Sequence, residues 1–520
     1  MVSVDSEIVL TDPSDTILFD LTEKFGHDAP LKRILQIVLA QGCKSIVVEV
    51  HYDEEEWTQE RDIFYGKVFK KYPEKCDRLH FFASNLEKKD LNNLTKFKDN
   101  YLGFCVLRPL PEQRVVNAII KPFKDENDPP KSFVLCQEVF PVEILMQDGT
   151  SQILEISGFP FMQQDGQAGC CAHAALIMAD RFLVQRRNKG KAEDEKKEEP
   201  HFLQKIRKFL SLVPGEGRKI PTSGLRPVDI SEALEKMGYS ALVYEYKKDS
   251  HPPFPAEKVI YHYLESRIPV QLIIPTKGAR HVLTIIGHSF DPDVWWALAR
   301  EPYYQRRRSE SEGNYHCSTN WIERFIIQDD NFGPYLTVPK DYVWECETTG
   351  QLVVAVPLPP DVNMEGESAE SFANYCIASE IDLNGIINAS NSGKINDKTF
   401  RLFRIMWEHY IRKDLVLRTC LLDTREFIDR YIAEHLKSYY QNVRLYNKIW
   451  VTEISIPELF CHNRKRLGEI VIDPTAPPNS LPLPYLAIHV PGVFKTRDVD
   501  TDQPTTHYLP DDGAYGHIIR

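Results

Sequence analysis

Two adjacent cysteines, Cys170 and Cys171, stand at the point where a polar segment gives way to an alanine-rich helical pattern. After Cys170 the apolar residues fall on one face of a helix, and the cations Arg186 and Arg187 ahead of Gly190 are typical of its C-terminus. A thiol in the first turn of a helix lies near the positive end of the helix dipole and near free backbone N–H groups, which lower its pKa. We therefore predict a nucleophilic cysteine at the start of this helix.

Gln164 precedes Cys170 by six residues. Its side-chain amide can donate a hydrogen bond beside the thiol, and together with the Cys170 backbone N–H it would hold an oxyanion. The sequence thus indicates acyl transfer through a thiolate.

These residues resemble the papain-like cysteine peptidases, and especially the C39-like branch, whose signature is a Gln, five residues, a Cys and then small residues that run into a helix. The matching positions are Gln164, Cys170, Ala172 and Ala174. The sequence departs from that branch at Cys171, where a glycine is usual, and at His173. The resemblance covers about residues 155–340. It favours Cys170 as the nucleophile because of the offset from Gln164, and Cys171 is the rival.

The resemblance also implies a His and an Asp or Asn, in that chain order, at the heads of neighbouring strands that face the helix. His281 opens one predicted strand, and Asp329 ends the next. His281 is then the general base, and Asp329 holds its ring and tautomer. Adjacent residues of a strand face opposite ways, so Asp330 and Asn331 compete with Asp329 as orienter. His173, one turn along the helix, is an alternative base.

The resemblance and the patterns together predict an α+β fold class. A papain-like, C39-like peptidase domain, with an N-terminal helix bearing the Cys packed on an antiparallel sheet bearing His and Asp, is flanked by two mixed α/β domains. Polar, proline-containing segments place the boundaries, which give domains at 1–130, 131–345 and 346–520. The flanks show strand patterns at 45–50, 101–107 and 448–455, and a helical pattern at 424–440.

Composition excludes several classes of protein. The chain of 520 residues has 27% charged residues and no long uncharged apolar run, so we expect no membrane association and a cytoplasmic location. Its net charge of −12 argues against a nucleic-acid-binding surface. The 11 cysteines lack disulfide or zinc spacings, so we expect reduced, mostly buried thiols, no bound metal and no cofactor.

The predicted function is a cysteine-dependent hydrolase that cleaves a peptide or isopeptide bond in a peptide or protein substrate. An acyltransferase or transpeptidase with the same thiol chemistry, or an inactive papain-like scaffold kept for binding, are the alternatives. All candidate residues lie between Gln164 and Asn331. We therefore expect the flanking domains to supply recognition, regulation or a protein partner surface, and no catalytic residue.

Overall fold

The computed structural model describes residues 6–10, 16–124, 131–145, 150–189, 191, 195, 197–210, 224–248, 252, 254–277, 279–290, 315–463, 465–477, 483–498, 501, 503–512 and 516–517. They form a mixed α+β structure on three seven-stranded sheets, in which the described strands pair antiparallel except for one parallel pair. The α+β class is confirmed. No helix in these ranges is long and apolar enough to cross a membrane.

The N-terminal sheet is formed by the first part of the chain. Its strands, in spatial order, are Ser6–Leu10, Ser45–Tyr52, Cys76–Phe82, Tyr101–Leu107, Val115–Ile120, Ser151–Phe161 and Glu138–Leu145. The accompanying helices are Ile17–Phe25, Ala29–Ala40 and Glu55–Glu60, with a π-helical turn at Arg61–Tyr65 and 3-10 turns over Lys88–Asn100. The strands expected at 45–50 and 101–107 are confirmed.

The central sheet carries the candidate chemistry. Its strands, in spatial order, are Gly333–Pro339, Arg324–Asp329, Ala279–Ser289, Val270–Thr276, Leu352–Leu358 and Ser240–Tyr246, and Ser132–Val134 pairs with the far end of Ala279–Ser289. The helices between these strands are Cys171–Asn188, Leu203–Leu210, Pro227–Lys236, Ala256–Glu265 and Lys340–Thr348. Helix Cys171–Asn188 contacts strand Ala279–Ser289, so the helix that begins at the cysteines packs on the antiparallel sheet that holds His281 and Asp329.

The C-terminal sheet is built from seven strands, Tyr315–Cys317, Leu415–Asp423, Lys448–Ser455, Gly468–Ile472, Tyr485–Val490, Val493–Arg497 and Pro504–Tyr508. Lys465–Arg466 and Gly516–His517 form a separate pair. The helices of this region are Gly366–Ser379, Leu383–Asn391, Asp397–Ile411, Thr424–Glu426 and Glu434–Gln441, with a 3-10 turn at Ser318–Trp321 and π-helical turns at Phe427–Tyr431 and Leu459–Asn463. The helical pattern at 424–440 is thus interrupted, because Ile432 has extended backbone angles.

The sheets cross the predicted domain boundaries. Strands Glu138–Leu145 and Ser151–Phe161 belong to the N-terminal sheet, although they follow residue 130. Strand Leu352–Leu358 lies inside the central sheet, although it follows residue 345, because its apolar residues pair with two central strands. One continuous apolar core joins helix Ala29–Ala40, the central sheet and the C-terminal sheet. The predicted boundaries therefore do not coincide with the edges of the three sheets. Whether the three segments fold independently stays a prediction.

Candidate active site

A tight turn, stabilised by Asp165, directly precedes the helix that begins at Cys171. The Asp165 carboxylate accepts hydrogen bonds from the backbone N–H groups of Gln167, Ala168 and Gly169, at 3.3, 2.8 and 2.7 Å. Asp165 is buried. Because a carboxylate that accepts several N–H bonds fixes a turn in one conformation, Asp165 sets where the helix starts.

Cys170 is the N-cap of this helix and faces the interior. Its Sγ lies 3.1 Å from Nδ1 of His173, and its backbone N–H donates to the same nitrogen at 3.3 Å. A hydrogen bond from Cys171 lowers the pKa of Cys170, and the N–H groups of His173 and Ala172 add to this effect against the opposing effect of burial. The Cys170 sulfur therefore sits in the positive field of a helix N-terminus.

His173, the alternative base, contacts Cys170 but lacks the properties of a catalytic base. Burial, with a smaller contribution from the charge of Arg207, lowers its pKa to about 3. Its Nε2 has no hydrogen-bond partner among the described residues. The His173 ring is therefore neutral, and no carboxylate orients it.

Cys171, the first residue of the helix, faces His281. The Cys171 thiol lies beside His281 and beside the Cys170 sulfur, close enough for both to shift its pKa. The contact with Cys170 and burial raise the pKa of Cys171, while His281 acts in the opposite direction. Of the two sulfurs, Cys170 is therefore the one whose pKa is lowered, and Cys171 is the one that lies beside the His281 imidazole.

Exposure also distinguishes the two cysteines. All eleven cysteines lie in the described ranges, and none of them forms a disulfide there. Ten of them are buried, and Cys171 alone is partly exposed. Cys171 is therefore the more accessible of the two adjacent cysteines.

Two carboxylates lie near Nε2 of the His281 ring. Nε2 lies 3.0 Å from Oδ1 of Asp329 and 3.6 Å from Oδ1 of Asp330. Asn331 is on the other side of the ring, where its Nδ2 lies 3.5 Å from Nδ1. Of the three orienters that the sequence left open, Asp329 therefore makes the hydrogen bond to Nε2.

The carboxylates determine the charge of His281. Burial alone would lower the pKa of His281, but the hydrogen bonds with Asp329 and Cys171 and the charges of Asp330 and Asp329 outweigh it and raise the pKa to about 10. Burial raises the pKa of Asp330 to about 8, against the charge of His281. The site therefore favours a protonated imidazole at neutral pH.

Gln164 lies at the mouth of the site. Its Nε2 donates to Oδ1 of Asn331 at 2.9 Å, and so it is joined through Asn331 to the His281 ring. The Cys170 N–H, which was expected to share the oxyanion with Gln164, is engaged by His173. Cys171 is the first residue of the helix, so its N–H has no acceptor within the helix.

The comparisons with known proteins add no family. A scan against protein-family models finds no match, and a search of the curated proteins returns no similar sequence. The interpretation of this site therefore rests on its residues and geometry.

Asp165 is the site residue that the sequence analysis did not single out. A local signal for it exists, because an Asp followed directly by Gly is typical of a turn. Gly166 has φ of +73°, the left-handed conformation that such a turn requires.

Proposed function

We propose that this protein is a cysteine-dependent hydrolase of the papain-like type that cleaves a peptide or isopeptide bond, with Cys171 as nucleophile, His281 as base and acid, and Asp329 as orienter. The proposal rests on one series of contacts. Cys171, the one cysteine that is partly exposed, lies beside the His281 imidazole, and Asp329 hydrogen-bonds to that imidazole. A nucleophile, a base and an orienter in this order are the minimum for acyl transfer.

Two Cys–His contacts exist, and only one suits this chemistry. In the first, Cys170 and His173 are both buried, and the imidazole of His173 has no carboxylate partner in the described ranges. In the second, Cys171 is accessible, and Asp329 stabilises the imidazolium of His281. The geometry therefore favours Cys171 over Cys170, the residue that the resemblance favoured.

The reaction follows from these positions. His281 holds the proton of the Cys171 thiol, and the thiolate adds to the substrate carbonyl carbon. Asp329 keeps the other proton on Nε2, so Nδ1 is the nitrogen that returns a proton to the leaving amine. A water molecule, activated by the same nitrogen, then releases the acid from the thioester.

The oxyanion of the tetrahedral intermediate needs donors beside Cys171. The backbone N–H of Cys171 and the amide of Gln164 are suited to this role. Gln164 has to exchange its hydrogen bond with Asn331 for one with the oxyanion, or donate its second amide hydrogen.

Matched alanine substitutions test the nucleophile. Cys171→Ala should lower kcat/KM on a broad peptide or ubiquitin-like substrate by about 10⁴-fold or more, because the attacking atom is lost. Cys170→Ala removes a sulfur that contacts Cys171 and His173 and should retain activity within about tenfold. Alkylation with iodoacetamide, followed by peptide mapping, should modify Cys171 first in the wild-type protein.

Each other outcome has a defined meaning. Full activity of Cys171→Ala with loss in Cys170→Ala would restore Cys170 as the nucleophile. No turnover in the wild type, together with Cys171 labelling no faster than the buried Cys105, would favour the binding scaffold. Product formation only with a free amine present would identify an acyltransferase.

A further inference from the structure

Asp330 is a carboxylate whose hydrogen-bonding capacity is unused in this structure. Its side chain is 1% exposed, and neither oxygen has a hydrogen-bond partner among the described residues. Its Oδ1 lies 3.6 Å from Nε2 of His281, which already hydrogen-bonds to Asp329. A buried polar group without a partner costs free energy, so both oxygens are available to a ligand that enters the site.

Three donor atoms converge at this point. Nε2 of His281 and one oxygen each from Asp329 and Asp330 lie within 4.8 Å of one another, and the two Nε2–oxygen distances are 3.0 and 3.6 Å. A tetrahedral Zn²⁺ ion with bonds of about 2.0 to 2.2 Å separates its ligand atoms by about 3.3 to 3.6 Å. The two Nε2–oxygen distances therefore match those of a tetrahedral zinc site to within a few tenths of an ångström.

We propose that His281, Asp329 and Asp330 form a reversible inhibitory site for a divalent transition-metal ion of the zinc type. One imidazole nitrogen and two carboxylate oxygens are ligands that Zn²⁺ accepts, and a water molecule completes the tetrahedron. On binding, the Nε2 proton leaves to solvent, and the Nε2 lone pair forms the bond to the metal.

The expected consequence is loss of turnover. A metal ion on Nε2 replaces the proton that Asp329 stabilises, so His281 loses the tautomer and the charge that the reaction uses. This inhibition rests on the proposed function, whereas the binding itself depends only on the three donors.

A second cluster of possible metal ligands differs, because its carboxylate is already paired with protein groups. His262, Cys317 and Glu370 also lie within 4.8 Å of one another and are fully buried. Both oxygens of Glu370 are engaged, one by Lys258 at 2.9 Å and the other by His262 at 2.9 Å. An incoming cation would have to displace the Lys258 ammonium, so we place no metal there.

Isothermal titration of the chelator-treated full chain with Zn²⁺ tests the binding. We expect one ion per chain with a Kd below about 10 µM. Asp330→Asn should weaken the affinity by about 100-fold, because it replaces a charged ligand with an amide. Asp53→Asn removes a negative charge from an exposed position in the N-terminal region and should leave the affinity unchanged. Equal affinities for the wild type and Asp330→Asn would overturn the proposal.

Two further measurements keep the outcomes separate. If Asp330→Asn does not fold, as judged by circular dichroism, Asp329→Asn replaces it in the titration with the same expectation. Wild-type protein that binds Zn²⁺ through Asp330 but has no hydrolase activity would retain the metal site and refute the proposed function. Hydrolysis that is insensitive to Zn²⁺, with no binding by calorimetry, would refute the metal site alone.

Discussion

The His281 imidazole is held as a cation by the two carboxylates beside it, and this has a measurable effect on the pH profile. With a pKa of about 10, His281 stays protonated through neutral pH and can donate to the leaving amine until the pH rises through that value. We therefore expect kcat/KM, measured with a chelator present, to fall on its alkaline side near pH 10.

Asp329→Asn tests the cause of this shift. The substitution replaces the carboxylate that hydrogen-bonds to Nε2 at 3.0 Å with a neutral amide, and the loss of this negative charge lowers the pKa of His281. The alkaline limb of the pH profile should move to lower pH, and kcat should fall. An alkaline limb at the same pH in the wild type and Asp329→Asn would show that Asp329 does not set the charge of His281.

Gln164 provides a second test at the scale of single residues. Gln164→Ala should slow turnover by about 100-fold, the usual cost of one oxyanion donor, and should leave the alkylation of Cys171 unchanged. Gln163→Ala would be a poor control, because Gln163 is buried and its side chain accepts from the Val115 N–H at 3.0 Å. Gln167→Ala is the better match, since only its backbone N–H contacts Asp165. Full activity of Gln164→Ala would remove it from the oxyanion site.

At the scale of elements, the start of helix Cys171–Asn188 depends on the Asp165 turn. Asp165→Ala leaves the N–H groups of Ala168 and Gly169 without their acceptor in a buried environment. We expect the free energy of unfolding to fall by about 3 kcal/mol in urea titration, with slower turnover because both cysteines lose their fixed position. Asp165→Asn, which keeps one acceptor oxygen, should lie between Asp165→Ala and the wild type.

The elements around the site follow their sequence patterns closely. The strands that hold His281 and Asp329 run over Ala279–Ser289 and Arg324–Asp329, and the helix begins at Cys171, as apolar periodicity and strand-forming residues predict. The interrupted helix at 424–440 differs from its pattern. Phe427 and Tyr440, which lie on its two sides, are both buried in one apolar cluster and in edge-to-face contact, a packing that the periodicity did not reveal.

At the scale of the whole molecule, the three sheets are joined by buried polar contacts. Arg418 of the C-terminal sheet forms ion pairs with Glu265, at the end of helix Ala256–Glu265, and with Glu453. The Tyr335 hydroxyl donates to the Ile120 carbonyl of the N-terminal sheet at 2.7 Å. Because these groups would be left buried and unpaired if one sheet were removed, each sheet stabilises the next.

A central fragment tests this dependence. Residues 150–345 include every proposed catalytic residue but lack Leu352–Leu358, an interior strand that pairs with both Val270–Thr276 and Ser240–Tyr246. We expect this fragment not to unfold cooperatively in urea and to lose selective alkylation of Cys171, while the full chain retains both. Cooperative unfolding of the fragment with selective labelling would show that the flanks are dispensable for the site.

The sequence by itself determined the helix that starts at the cysteines, the chain order of the candidate Cys, His and Asp residues and the α+β class, because local periodicity and turn residues encode these features. It could not decide which sulfur meets which histidine. The contact of Cys170 with His173 is local to the start of the helix, whereas the contact of Cys171 with His281 depends on how helix Cys171–Asn188 docks on strand Ala279–Ser289, a long-range packing. Only the tertiary structure shows that the Asp330 carboxylate is buried without a hydrogen-bond partner among the described residues, because both properties depend on how side chains pack.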